Sequence, residues 1–143
     1  DLLFHVDSCV GGFILPFLKM LNYNIPKFNF ELPGVTSMSA DIHKYGYTAK
    51  GASIILHKNK ELRKFQFFVY TDWTGGIYGS PSVAGTRSGG AIACAWAALN
   101  HIGIDGYKRM AQKSMSITKK FKRQLVKLRT FILLVTLKCA FLQ

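Results

Sequence analysis

Acidic side chains are absent from residues 106–143, although this stretch contains ten of the 19 lysines and arginines in the 143-residue chain. Residues 1–105 contain nine basic and seven acidic residues, so most of the net charge of +12 comes from the C-terminal part. A basic segment can bind nucleic acid or an anionic membrane. This one lacks interleaved aromatic side chains for base stacking. We therefore interpret Lys108–Arg123 as a solvated helix face and predict no nucleic-acid partner.

Cysteines and long apolar runs are also scarce. The three cysteines have neither CxxC spacing nor paired histidines, so we predict reduced thiols in an intracellular protein and no metal site. The apolar stretches at 13–21 and 131–137 are far shorter than the ~20 residues that span a bilayer. The chain starts without a basic leader, one residue before a strand-like stretch. We expect it to be part of a longer protein.

The rest of the sequence alternates between strand-like and helix-like stretches, which predicts an α/β fold. Residues 22–34 are rich in Asn and Pro and predict a loop. Residues 70–90 contain six glycines and predict one long loop, which in a compact domain is usually functional. The aromatic run at 65–69 predicts a strand or a lining segment. A buried strand is predicted at 2–7, further strands at 35–40 and 53–57, and helices at 12–21, 91–101 and 103–128.

Asp7 and Lys44 have the clearest chemical meaning in this pattern. Asp7 ends the first predicted strand and precedes Gly11-Gly12, whereas Lys44 follows His43 in a turn after the second strand. Pyridoxal phosphate requires a lysine amine for its aldehyde and an anion for its ring nitrogen. The pair suits this cofactor, provided that burial or nearby positive charge lowers the pKa of the amine. Taken alone, each residue is more often a surface lysine or a turn cap.

Other residues are candidates to complete such a site. The cofactor phosphate could be bound by His43, Thr86, Ser88 or the backbone N–H groups of the glycine-rich loop. In an alternating strand, His5 points to the same face as Asp7. We therefore predict that His5 orients the Asp7 carboxylate.

Three ordered runs of the sequence resemble one known family. Residues 5–13 (HVDSCVGGF) resemble the aspartate motif of the pyridoxal-phosphate-dependent group II decarboxylases. Residues 34–47 (GVTSMSADIHKYGY) and 67–87, which contain TDWTGGIY and AGTR, resemble its sphingosine-1-phosphate lyase branch. The resemblance implies that residues 1–125 are part of the large domain of a fold type I, aspartate aminotransferase-like enzyme. It fades in residues 126–143, which we predict to be a divergent basic and apolar tail.

The resemblance implies roles for five residues. Lys44 resembles the lysine that joins the cofactor covalently, Asp7 the partner of the ring nitrogen, and His43 a neighbouring cofactor contact. Lys50 resembles a lysine that holds the substrate phosphate, with an ordinary surface lysine as the alternative. Thr86 resembles a residue that reaches the cofactor phosphate of the neighbouring subunit, since such enzymes are homodimers with shared sites.

The activity implied by the resemblance is a carbon–carbon lyase. It would cleave a phosphorylated sphingoid base by a retro-aldol reaction to a long-chain aldehyde and phosphoethanolamine. Two alternatives stay open: a pyridoxal-phosphate-dependent amino-acid decarboxylase of the same fold, and a non-catalytic truncated product. The resemblance also implies the endoplasmic reticulum membrane in a eukaryote, through an anchor upstream of this sequence, and the cytoplasm otherwise.

Overall fold

The computed structural model describes residues 2–127, and a three-stranded sheet lies at its centre. Its strands are β1 (Phe4–Asp7), β2 (Val35–Ala40) and β3 (Ile54–His57), in that order across the sheet. β1 and β2 run parallel, with Asp7 opposite Ser39, whereas β3 is antiparallel to β2. The carboxyl ends of the two parallel strands therefore lie at one edge, where ligands of α/β sheets commonly bind.

Helices connect and flank these strands. They are α1 (Leu15–Met20), α2 (Lys60–Arg63) and α3 (Gly89–Lys127), with 3-10 turns at Gly11–Phe13 and Lys64–Gln66. Pro16 lies in the first turn of α1, where its missing N–H is tolerated. α3 is interrupted at Gly103, whose φ of 59° and ψ of 175° are not helical, so it consists of two helices joined at a kink, as predicted around this glycine. Within residues 2–127, no helix is both long and apolar enough to cross a membrane.

Two apolar clusters hold the turn that follows β2. Leu18 of α1 is fully buried and packs with Ala111 of α3. The Tyr107 ring stacks on Phe17 with centroids 4.9 Å apart, and its hydroxyl donates to the Gly46 carbonyl at 2.7 Å. This bond ties α3 directly to the turn that contains Lys44. The second cluster consists of the buried side chains Ile42, Ala52 and Ala95.

The strand predicted at residues 2–7 begins at Phe4 and is mostly exposed, whereas the sequence predicted a buried strand. Its exposure follows from its position, because β1 is an edge strand of the described sheet. The predicted strands at 35–40 and 53–57 are present as β2 and β3.

The glycine-rich stretch at 70–90 is not one uninterrupted loop. It contains β5 (Tyr78–Ser80), which pairs antiparallel with β4 (Phe68–Tyr70) to form a hairpin. The Phe68 and Tyr78 rings lie 6.1 Å apart, and such cross-strand aromatic contacts stabilise a strand pair despite a high glycine content.

The segment before this hairpin contains α2, which the sequence analysis did not predict. Its N-cap, Asn59, accepts a hydrogen bond from the Leu62 N–H at 2.9 Å. Beyond Lys127, the predicted tail at 126–143 lies outside the described residues.

Candidate active site

Asp7 and Lys44 meet at the carboxyl ends of the two parallel strands. Asp7 is the last residue of β1, and Lys44 lies in the turn that follows Ala40, the last residue of β2. The Cys9 backbone links the two strand ends: its N–H donates to Asp7 Oδ1 at 3.1 Å, and its carbonyl accepts the N–H of Asp41, three residues before Lys44, at 3.1 Å. The structure therefore brings together the two residues that the sequence analysis paired.

Asp7 is an exposed carboxylate that its neighbours hold in place. The Cys9 N–H and the Ser39 hydroxyl donate to its Oδ1 at 3.1 and 2.9 Å, and these bonds lower the pKa of Asp7. Neither bond uses Oδ2. His5, predicted to orient Asp7, instead places its Nδ1 2.9 Å from the hydroxyl of Ser37, the residue opposite it on β2. Ser39, which the sequence analysis missed, therefore orients Asp7.

The Lys44 amine is held by Asp41. Its Nζ lies 2.7 Å from Asp41 Oδ2, and this bond, together with the contact to Cys9, raises the pKa of Lys44. The predicted lowering of this pKa is wrong for the structure, because the carboxylate three residues earlier outweighs desolvation. The side chain is 33% exposed, so the protonated amine is still accessible from solvent.

Asp41 is a further residue of the site, which the sequence analysis quoted in a motif without giving it a role. Burial raises the pKa of Asp41, but hydrogen bonds from Lys44 and Ser53 outweigh this effect and lower it. The Ser53 hydroxyl donates to Asp41 Oδ1 at 2.5 Å. The signal available in the sequence was its spacing, an acid three residues before the lysine.

His43 lies beside this pair with its imidazole fixed. Its Nδ1 donates to the Ala52 carbonyl at 2.5 Å, and its Nε2 lies 3.6 Å from Asp41 Oδ2. One ring nitrogen is thus engaged by the protein backbone, and the other faces the carboxylate that holds Lys44. The predicted cofactor contact through His43 stays a prediction.

Lys50 and Thr86 lie together in a separate place. They line a cavity of about 590 Å³ that also includes Ser88 and the first turn of α3. Arg87 lines it too, and its Nη1 donates to the Ala84 and Thr86 carbonyls at 3.0 Å each. Cationic and hydroxyl side chains at a helix N-terminus suit an anion such as phosphate. Within the described part of the chain, no hydrogen bond joins this cavity to Lys44.

Comparison with known proteins places this geometry in a family. The sequence model of the pyridoxal-dependent decarboxylase conserved domain matches residues 1–142. The chain belongs to the pyridoxal-dependent decarboxylase family.

Within this family, the chain is similar to sphingosine-1-phosphate lyases. The lyase of Oryza sativa subsp. japonica is 53% identical over 123 residues, which make up 86% of this chain and 23% of the relative. A solved lyase from Burkholderia pseudomallei has a TM-score of 0.85 and 45% identity, over 90% of this chain and 30% of that one. The predicted resemblance is confirmed. The chain spans less than a third of the length of either protein.

A solved glutamate decarboxylase from Lactobacillus brevis is similar to a lesser degree. Its TM-score is 0.71 at 25% identity, over 90% of this chain and 28% of that one. The α/β, fold type I assignment is therefore confirmed by two pyridoxal-family structures, and the lyase branch is the more similar of the two.

The residues present fit pyridoxal phosphate, the family's cofactor. Lys44 offers an accessible amine, and Asp7 offers an ionised carboxylate whose Oδ2 takes neither of the hydrogen bonds that hold Oδ1. The Lys50–Thr86 cavity offers donors for a phosphate group. The cofactor prediction is confirmed by the family match, whereas the individual residue roles stay predictions.

Proposed function

We propose that the protein containing this chain is a pyridoxal-phosphate-dependent carbon–carbon lyase. Its substrate would be a phosphorylated sphingoid base, and its products a long-chain aldehyde and phosphoethanolamine. The observation that carries the proposal is the placement of Asp7 and Lys44 at one sheet edge, where the Cys9 backbone bonds to Asp7 on one side and to Asp41, the partner of Lys44, on the other. The similarity to sphingosine-1-phosphate lyases supports the choice of substrate.

Each residue of the site has a task in this reaction. The bound cofactor supplies a ring that accepts the electrons left when a bond at the substrate Cα breaks. Asp7 would keep the ring nitrogen protonated through its ionised carboxylate, which Cys9 and Ser39 hold in place. Lys44 would hold the cofactor and release it to the substrate amine. His43, anchored on Ala52, would contact the cofactor beside Lys44.

The Lys50–Thr86 cavity would bind phosphate groups. Lys50 would pair with the substrate phosphate, and Thr86 would donate to the cofactor phosphate of a neighbouring subunit. The basic and hydroxyl side chains that line this cavity support both assignments. A phosphate contact of this kind separates the lyase from a decarboxylase, whose substrate carries a carboxylate at the bond that breaks.

The direct test compares two substrates with the purified full-length protein. One reaction contains a phosphorylated sphingoid base and is assayed for aldehyde; the other contains an amino acid such as glutamate and is assayed for carbon dioxide. We expect aldehyde only. Carbon dioxide without aldehyde would establish the decarboxylase instead, and the absence of both products and of bound cofactor would identify a non-catalytic product.

A Lys50→Ala variant tests the substrate phosphate contact. We expect its KM for the phosphorylated substrate to rise about tenfold or more, since a charge-assisted hydrogen bond contributes ~1.5–3 kcal/mol. Lys58→Ala is the matched control, because the Lys58 amine donates to the Pro33 carbonyl and does not line the cavity. An equal rise in KM in both variants would contradict the role of Lys50.

We also propose a homodimer, attached in a eukaryote to the endoplasmic reticulum membrane through an upstream segment and cytoplasmic otherwise. The lyase resemblance supports these assignments, and the exposed apolar side chains of the β4–β5 hairpin offer a surface that a second copy could cover. Light scattering should give twice the subunit mass. Cell fractionation should place a eukaryotic protein in the microsomal membranes.

A further inference from the structure

Asp41 is the common partner of the polar groups around Lys44. Its Oδ2 lies 2.7 Å from Lys44 Nζ and 3.6 Å from His43 Nε2, whereas its Oδ1 accepts the Ser53 hydroxyl at 2.5 Å. Only 14% of the side chain is exposed, so water screens these interactions weakly. Its backbone N–H also donates to the Cys9 carbonyl at 3.1 Å, which fixes it relative to β1.

The chain contains a second aspartate–lysine pair with the same spacing. Asp105 and Lys108 are also three residues apart, but their charged atoms are 3.5 Å apart and the Asp105 side chain is 84% exposed. Exposed pairs of this kind contribute little because solvent screens them and both side chains are mobile. Distance alone does not distinguish the Lys44 pair either, because Glu61 and Lys64, also three residues apart, lie 2.7 Å apart with exposed side chains. The Asp41–Lys44 pair differs from both in the burial of Asp41 and in its anchors on Ser53 and Cys9.

We propose that Asp41 is a positioning residue that holds the Lys44 ammonium at the sheet edge and limits its reaction with aldehydes until the cofactor arrives. An amine must give up its proton, here to solvent, before it bonds to an aldehyde carbon with release of water. The inference rests on the proposed function in one respect, namely that Lys44 receives the cofactor. The same contact would protect the cofactor-free enzyme from the aldehyde that the proposed reaction releases.

The charged and titratable groups around the Lys44 amine are Asp41, Cys9, His43 and Asp7. Asp41 favours the ammonium most strongly, and the Cys9 side chain adds to this effect. His43 Nε2 lies 3.6 Å from Asp41 Oδ2, the same oxygen that Lys44 contacts. Asp7 is linked to this group through the Cys9 backbone, whose N–H donates to Asp7 Oδ1. Removal of the Asp41 charge should therefore lower the pKa of Lys44 more than the loss of any other neighbouring group. Cys9 and Asp7 would stay in place in such a variant.

The test measures the reactivity of each lysine in the cofactor-free full-length protein. Competitive acetylation with acetic anhydride is followed by peptide mass spectrometry across a range of pH. Asp41→Asn should raise the acetylation rate of Lys44 about tenfold for each unit by which its pKa falls, whereas Asp105→Asn should change Lys108 less than about twofold. Asp41→Glu, which keeps the charge, should restore most of the slow reaction.

A second variant and a folding control keep the test decisive. Ser53→Ala removes only the hydroxyl that orients Asp41, so it should accelerate Lys44 by a smaller factor even if Asp41→Asn does not fold, as judged by circular dichroism. Unchanged acetylation of Lys44 in the folded variants would overturn the proposal. Because acetylation requires neither cofactor nor substrate, failure of the lyase assay with a positive acetylation result would count against the proposed function alone.

Discussion

The turn that contains Lys44 and the β4–β5 hairpin both carry specific sequence motifs, yet they are held in different ways. The turn is packed between buried clusters, and the Tyr107 hydroxyl ties it to α3. The hairpin depends mainly on local strand pairing and on aromatic contacts between its own residues. Its large apolar side chains are exposed: Phe68, Val69, Tyr70, Trp73, Ile77 and Tyr78.

This difference shows which part of the site the chain builds by itself. The Asp7–Lys44 arrangement is fixed by packing and hydrogen bonds among residues of the described part. The large apolar side chains of the hairpin are exposed, so packing within the described part does not account for them. They are therefore candidates for contacts with another surface. Substitutions in the two regions should therefore have different effects.

The largest difference should appear in cofactor binding. Lys44→Ala should abolish covalent attachment of pyridoxal phosphate, because it removes the amine that the turn after β2 holds at the same sheet edge as Asp7. Thr86→Ala should weaken binding only about tenfold, the effect of one lost hydrogen bond. Visible absorbance of the full-length protein, followed by borohydride reduction and peptide mass spectrometry, measures both. Retention of the reduced adduct in Lys44→Ala would assign the attachment to another lysine.

A pair of glycine substitutions compares how tightly the two regions are packed. A Cβ at Gly46 would lie 2.3 Å from the Ile42 carbonyl oxygen, so Gly46→Ala forces a backbone shift. We expect the free energy of unfolding to fall by about 1–3 kcal/mol. A Cβ at Gly79 would meet no atom within 4 Å, so Gly79→Ala should change it by less than about 0.5 kcal/mol.

Urea titration of the two glycine variants of the full-length protein provides the measurement. Equal losses of stability would show that the hairpin is packed as tightly as the turn in the complete protein. That result would remove the contrast between the two regions.

The smallest effect should be the acid sensitivity contributed by Asp7. Hydrogen bonds from Cys9 and Ser39 lower its pKa below the ordinary value of 3.8. A carboxyl whose pKa is lower in the folded state stabilises the protein above its unfolded pKa, and this contribution is lost as the pH falls through the folded pKa. Asp7→Asn should therefore flatten the fall in thermal midpoint below about pH 4.

Ser39→Ala should reproduce part of the Asp7→Asn effect, because it removes one of the two donors to Oδ1. If the thermal midpoint falls with pH identically in the native protein and in both variants, Asp7 is not held by these hydrogen bonds.

The sequence predicted much of the site because strand ends can be recognised from local patterns. The apolar stretches before Asp7 and Lys44 correspond to β1 and β2, and their parallel pairing places both residues at one edge. The hairpin was missed because glycine content suggested a loop, whereas the strand pairing places Tyr70 opposite Tyr78 and brings the Phe68 ring within 6.1 Å of the Tyr78 ring. The direction of the pKa shift of Lys44 was also predicted wrongly, since it depends on the orientation of the Asp41 carboxylate.

The sequence by itself determined the family, the cofactor and the pairing of an amine with a carboxylate, because these depend on which residues follow which strands. Only the tertiary structure decided that Asp41 holds Lys44, that Ser39 rather than His5 orients Asp7, and that Lys50 and Thr86 share one cavity. Hydrogen bonds and ion pairs depend on side-chain directions within a few tenths of an ångström, and those directions follow from packing between elements that are distant in the chain.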